Sequence, residues 1–196
     1  MDWDYQEITH LITEYDTASE EVLNSDCSSF NPNLKRFVHL LHSHEYCKYV
    51  NEVVLPSVNF DEWYDNSCKT VKSMVGSGNL DWPLDRNEYL SMQLALLEKI
   101  AEGKESPSNI CSKFMYAGSH FDDHIEKINE QIIEVFIRNY RHLLIVTAEN
   151  AISESGEVNG IKSSHHTWYQ RPIGIVFLGI IVTVIGGLIL FKLTSK

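Results

Sequence analysis

The segment His120-Phe121-Asp122-Asp123-His124 carries the residue types of a metal site. Imidazoles at i and i+4 of a helix share one face, and Asp123, three residues after His120, lies beside that face. His120, Asp123 and His124 are therefore candidate ligands, with a neighbouring helix left to supply a third or fourth donor. The glutamate base of H-E-x-x-H is missing, and paired aspartates also suit the first turn of a helix through its dipole alone. The second explanation is preferred, so neither a metal nor a cofactor is expected.

Met74-Val75-Gly76-Ser77-Gly78-Asn79-Leu80-Asp81-Trp82-Pro83 is the other irregular stretch. Adjacent amides in such a loop can cradle an anion. No strand precedes it and no G-K-[ST] follows, so the phosphate-loop pattern is absent. The preferred reading is a helix–helix connection with positive φ at its glycines and Trp82 packed as a plug. His39, His42 and His44 lie close together in sequence without an H-x-H pair, and His165-His166 fall in a polar stretch. Each can titrate near neutrality, a generic property of histidine. No Ser/His/Asp, Cys/His or paired-carboxylate arrangement stands out, so no catalytic residue is assigned. Cys27, Cys47, Cys68 and Cys111 are too dispersed for a disulfide scaffold and read as reduced, largely buried thiols.

The elements that must position these residues are helical. Tyr5, Ile8, Leu11, Ile12 and Tyr15 form one stripe at helical period. Asn31-Pro32 suits the start of a second helix, with Leu34, Phe37, Val38 and Leu41 on its face and a break near Ser43-His44. A third is expected from Asp61 through Val71 and Met74 to the glycines. Asp85 and Glu88 make a D-x-x-E capping box, with Leu84 and Tyr89 as its hydrophobic staple and Gly103 as the stop. Ser106-Pro107 opens a short helix ending near Gly118. Ser119 then caps a long one to Ile152, whose face is Phe121, Ile125, Ile128, Ile132, Val135 and Phe136, continued by Tyr140, Leu143, Leu144 and Thr147. A heptad seam would place Asn139 and His142 in the core, so bundle packing is expected rather than a coiled coil. The fold class is all-α: a single bundle of about six helices over residues 1–152.

Residues 153–170 are Ser/Gly-rich at first and read as a flexible tether. Ile173 to Phe191 is a run of 19 uncharged residues, within an anchor placed at 171–192 and followed by a tail at 193–196. A helix of that length spans roughly 28 Å, close to the hydrocarbon thickness of a bilayer. Trp168, Tyr169, Arg171 and Lys192 flank it as interfacial residues. Gly179, Thr183 and Gly187 recur every four residues, a small-xxx-small stripe through which two anchors could pair as a homodimer. No basic, apolar secretory leader precedes the bundle, so residues 1–170 are expected in the cytosol. There 13 basic stand against 27 acidic residues, a net charge of −14 that argues against nucleic acid as a partner.

The layout, a helical domain ahead of a terminal anchor, resembles tail-anchored helical regulators and SNARE fusion proteins. It also resembles the membrane effectors and regulators of bacterial defence or prophage loci. The resemblance is one of architecture and implies nothing residue by residue. The expected function is a protein-interaction or regulatory module at the cytosolic face of a bilayer, its partner a protein. The alternatives are a membrane-perturbing effector that clusters through its anchor, and a metal-dependent hydrolase built on His120 and His124.

Overall fold

Four aromatic rings from three helices mark the centre of the fold. The computed structural model describes residues 5–157, with side chains over 6–151. In chain order the helices are α1 (Tyr5–Leu23), α2 (Phe30–Ser43), α3 (Glu45–Tyr49), α4 (Phe60–Lys69), α5 (Arg86–Ala101), α6 (Pro107–Phe114), α7 (Phe121–Ile128) and α8 (Glu134–Glu157). A π-helical turn, Val50–Val54, extends α3, and another, Asn129–Ile133, joins α7 to α8. Counted as continuous rods these are seven, because the expected second helix does break at His44. Among the described residues there is no strand, and no helix is long and apolar enough to cross a membrane. The anchor at 171–192, its flanks Trp168, Tyr169, Arg171 and Lys192, and the stripe Gly179, Thr183 and Gly187 lie outside the described residues.

The core sits where α1, α2 and α8 meet. Tyr15 of α1 lies 5.3 Å from Phe37 of α2 and 6.0 Å from Tyr140 of α8, ring to ring. Phe136 completes the cluster, 6.3 Å from Phe37 and 5.1 Å from Tyr140. All four are fully buried, each contributing roughly 1.5–3 kcal/mol, with ring pairing adding about 0.5–1.5 kcal/mol. Buried hydroxyls need partners. Tyr15 Oη donates to Ile137 O at 3.0 Å, Tyr46 Oη to Leu144 O at 2.8 Å, and Tyr140 Oη to Asn51 Oδ1 at 2.7 Å. Burial pushes all three phenols above their ordinary range, so they remain neutral donors. At the rim, Arg141 grips Asp16 with two bonds of 2.7 and 2.9 Å, tying α8 to α1.

The turn 129–133 corrects the expected face of the long helix. One extra residue in a π turn shifts the phase of everything after it. Ile133 and Ile137 are buried beside Ile132 and Phe136, whereas Phe121 is exposed. The helix opens at His120 rather than Ser119, and α8 continues to Glu157.

Local capping chemistry explains the other ends. Asp85 accepts the amides of Asn87 and Glu88, at 2.9 and 3.0 Å. The expected staple fails, because Leu84 is fully exposed. Trp82 instead packs on Tyr89, 5.2 Å between rings. At the far end of α5, Gly103 has φ +76°. Its N–H reaches Ile100 O, and the N–H of Lys104 reaches Lys99 O, a Schellman stop. The second helix starts at Phe30, earlier than Asn31-Pro32, because Asp26 collects the amides and hydroxyls of Ser28 and Ser29. Those bonds hold the Asp26 carboxyl well below the usual carboxylate range.

The helix expected from Asp61, α4, ends at Lys69 and does not reach Val71 or Met74. Thr70 turns the chain: its Oγ1 donates to Ser67 O at 2.7 Å and accepts the Asn79 amide at 2.7 Å. Ser77 Oγ accepts the Lys72 amide at 2.9 Å, closing a compact loop between those two posts. Trp63 holds its exit, donating from Nε1 to Asp81 O at 2.7 Å and packing tilted against Trp82, ring centroids 4.7 Å apart.

Candidate functional site

The glycine loop and the end of α6 are made for each other. A helix leaves its last carbonyls without intrahelical partners. Here Gly76 N–H donates to Ser112 O at 2.9 Å and Gly78 N–H to Lys113 O at 2.8 Å. Two amides that a phosphate cradle would need are thereby committed to α6. Gly76 takes φ +68°, and a Cβ on it would lie 2.6 Å from the Met115 carbonyl carbon. The loop is thus a helix cap that only glycine can make at position 76.

That docking opens a cleft of about 500 Å³ between the loop, α6 and the first turn of α7. Val75, Met115 and Ala117 contribute apolar surface; Ser106, Ser108 and Asn109 contribute polar groups. Ser106 is the N-cap of α6, accepting the Asn109 amide at 3.2 Å, with Pro107 at the first helical position. This places Ser108 at the helix N-terminus, where its own N–H has no acceptor within the helix. Across the cleft, the His124 ring projects from α7, and Nδ1 lies 2.9 Å from Ser108 Oγ. Both residues are half-buried. Cys111, buried behind them, points its Sγ at His124 O over 3.6 Å. Burial pushes the Cys111 thiol up to about 11, so it is protonated at neutral pH.

Chemically, the arrangement is a hydroxyl and an imidazole in contact at the mouth of a mixed polar and apolar cleft. Val75, which lines the cleft, is 65% exposed; its chain neighbour Met74 is 75% exposed, and Tyr116, between the lining residues Met115 and Ala117, is 81% exposed. The close backbone approach of Gly76 to residues 115–116 puts these three residues on neighbouring chain segments.

The sequence-level metal residues are placed differently. Asp123 accepts the His120 amide at 3.0 Å and so closes the cap of α7. His120 is the N-cap itself, with extended backbone, and is exposed. Asp122 accepts the Cys27 amide at 2.9 Å, joining α7 to the α1–α2 connection. His124 faces Ser108. Among the described residues, no three His, Cys, Asp or Glu side chains are grouped as a metal ion would require. The other histidines also separate. His42 pairs with Glu98 of α5 at 2.8 Å, and His44 caps α3 by accepting the Tyr46 amide at 3.2 Å. His39 is exposed beside the α2–α5 groove. Of the four thiols, Cys47 and Cys111 are buried, Cys68 is half-buried and Cys27 is exposed, all of them reduced.

Ser108 did not stand out in the sequence. It lies 16 residues from His124, and no local spacing rule connects a helix N-terminus with the next helix's first turn.

No protein family matches the chain, and no solved structure matches it. Over 121 residues the chain is 29% identical to the Uncharacterized protein YuaY of Escherichia coli (strain K12). The matched segment is 62% of this chain and 40% of that protein, so the chain spans less than half the length of this relative.

Proposed function

We propose that the helical domain is a protein-interaction module held at the cytosolic face of a membrane by residues 171–192. The observation that carries the reading is that Met74, Val75 and Tyr116, three large apolar residues on the two chain segments that meet at Gly76, are all exposed. Leaving them in water is unfavourable, and contiguous exposed apolar surface commonly marks a protein contact. They stand on a tightly hydrogen-bonded loop and an adjoining helix end, so the surface is preformed and little ordering entropy opposes binding. The net charge of −14 over residues 1–170 favours a partner that presents apolar side chains within a basic rim. The apolar run Ile173–Phe191 supports the membrane placement, and the stripe of Gly179, Thr183 and Gly187 supports pairing of two anchors.

The test is a photoreactive residue at position 116 of the full-length chain, expressed in membranes. A crosslinked protein partner is expected from this position. It should disappear with Met74→Asp plus Val75→Asp and persist with Val53→Asp, an exposed apolar residue on a different element. No adduct at position 116, or one indifferent to the aspartates, would overturn the reading.

A further inference from the structure

We propose that Ser108 is a nucleophilic serine activated by His124, and that the α6–α7 cleft accepts a carboxylic ester with a short apolar acyl group. The inference shares the cleft and Val75 with the interaction reading but rests on a different observation, a pairing that neither residue's sequence neighbourhood provides. Ser108 Oγ lies 2.9 Å from His124 Nδ1, within reach of direct proton transfer. Each partner is fixed from behind. Ser108 is held by the Ser106 cap and Pro107 at the start of α6, and the His124 backbone by its helix and by Cys111 at its carbonyl. Cys111 itself is only 1% exposed and holds its proton, which leaves the serine as the group able to attack.

The chemistry follows from this geometry. His124 Nδ1 takes the proton from Ser108 Oγ as the oxygen attacks the ester carbonyl carbon. Developing oxyanion charge sits near the N-terminus of α6, where the Ser108 amide is free of helical bonding and the dipole is positive. The carbon–oxygen bond to the alcohol breaks, and His124 returns the proton to the departing alkoxide. An acyl-serine remains. Water then attacks it, losing a proton to His124, and the acid leaves as that proton restores Ser108 Oγ. Val75, Met115 and Ala117 supply the apolar wall for the acyl group. A cleft of about 500 Å³ suits a short chain.

Full-length protein in membranes should be labelled by a fluorophosphonate probe, with mass spectrometry placing the adduct on Ser108. Ser108→Ala should abolish labelling, and His124→Ala should slow it by about 100-fold, the usual contribution of a general base. p-Nitrophenyl butyrate should give a burst of about one nitrophenolate per chain, the signature of an accumulating acyl-enzyme. Ser108→Cys gives a readout that does not depend on the histidine variant folding. Its new thiol should react with iodoacetamide at least about tenfold faster than the exposed Cys27, because His124 favours the thiolate. Absence of labelling, labelling at another serine, or a Ser108→Cys thiol no faster than Cys27 would overturn the proposal.

Discussion

Gly76→Ala should cost far more stability than Gly103→Ala, although both glycines have left-handed backbone. At Gly103, φ is +76° and no atom lies within 4 Å of where a Cβ would go. Alanine there meets only the conformational penalty, about 1 kcal/mol. At Gly76, φ is +68°, and the Cβ would fall 2.6 Å from Met115 C, 2.7 Å from Tyr116 N and 2.8 Å from Met115 O. These are backbone atoms and cannot rotate aside. The loop must lift from the end of α6, loosening the bonds from Gly76 to Ser112 and from Gly78 to Lys113. Each contributes about 1 kcal/mol, so the total comes to about 3 kcal/mol. The difference of about 2 kcal/mol is a factor of roughly 30 in the folding equilibrium. Urea unfolding followed by far-ultraviolet circular dichroism, with a shared slope for the three proteins, measures it. Equal losses for the two variants would show that close docking against residues 115–116 is not what Gly76 provides, and the cap argument would fall.

His42 makes stability depend on pH. The Glu98 carboxylate 2.8 Å away raises the imidazole above its ordinary 6.5, so the folded chain binds that proton more tightly than the unfolded one. The stabilisation is complete below about 6.5 and fades as pH rises through the higher folded value. Denaturation midpoints between about pH 5.5 and 8.5 should fall more in the wild type than in His42→Gln, and parallel curves would refute the pairing. Within the anchor, Gly179→Ile and Gly187→Ile should each reduce crosslinked dimer in membranes, while Ile181→Leu should not. Unchanged association in both glycine variants would assign any dimer to the helical domain.

Local chemistry was legible in the residues themselves. Asp85 before Glu88, Ser106 before Pro107, and Gly103 after a helical run each satisfy orphan backbone groups within four or five positions. Neighbouring residues alone therefore determine where those helices begin or end. The same holds for the helical period of Ile8, Leu11 and Tyr15, which one buried face requires. Other features depend on groups far apart in the chain. Helix α4 stops at Lys69 because Thr70 finds Asn79 and the loop's amides find the carbonyls of Ser112 and Lys113. Trp82, rather than Leu84, covers Tyr89 because Trp63 holds the exit of that loop. The π turn at 129–133 rotates Ile133 and Ile137 inward, a phase change that no repeat in the sequence announces. Ser108 and His124 meet only because the α6–α7 packing brings one helix start against the next. Capping and amphipathicity act through neighbouring residues and so can be read from a single sequence. A cleft is made by surfaces that sequence order does not place together, and the tertiary structure alone decided it.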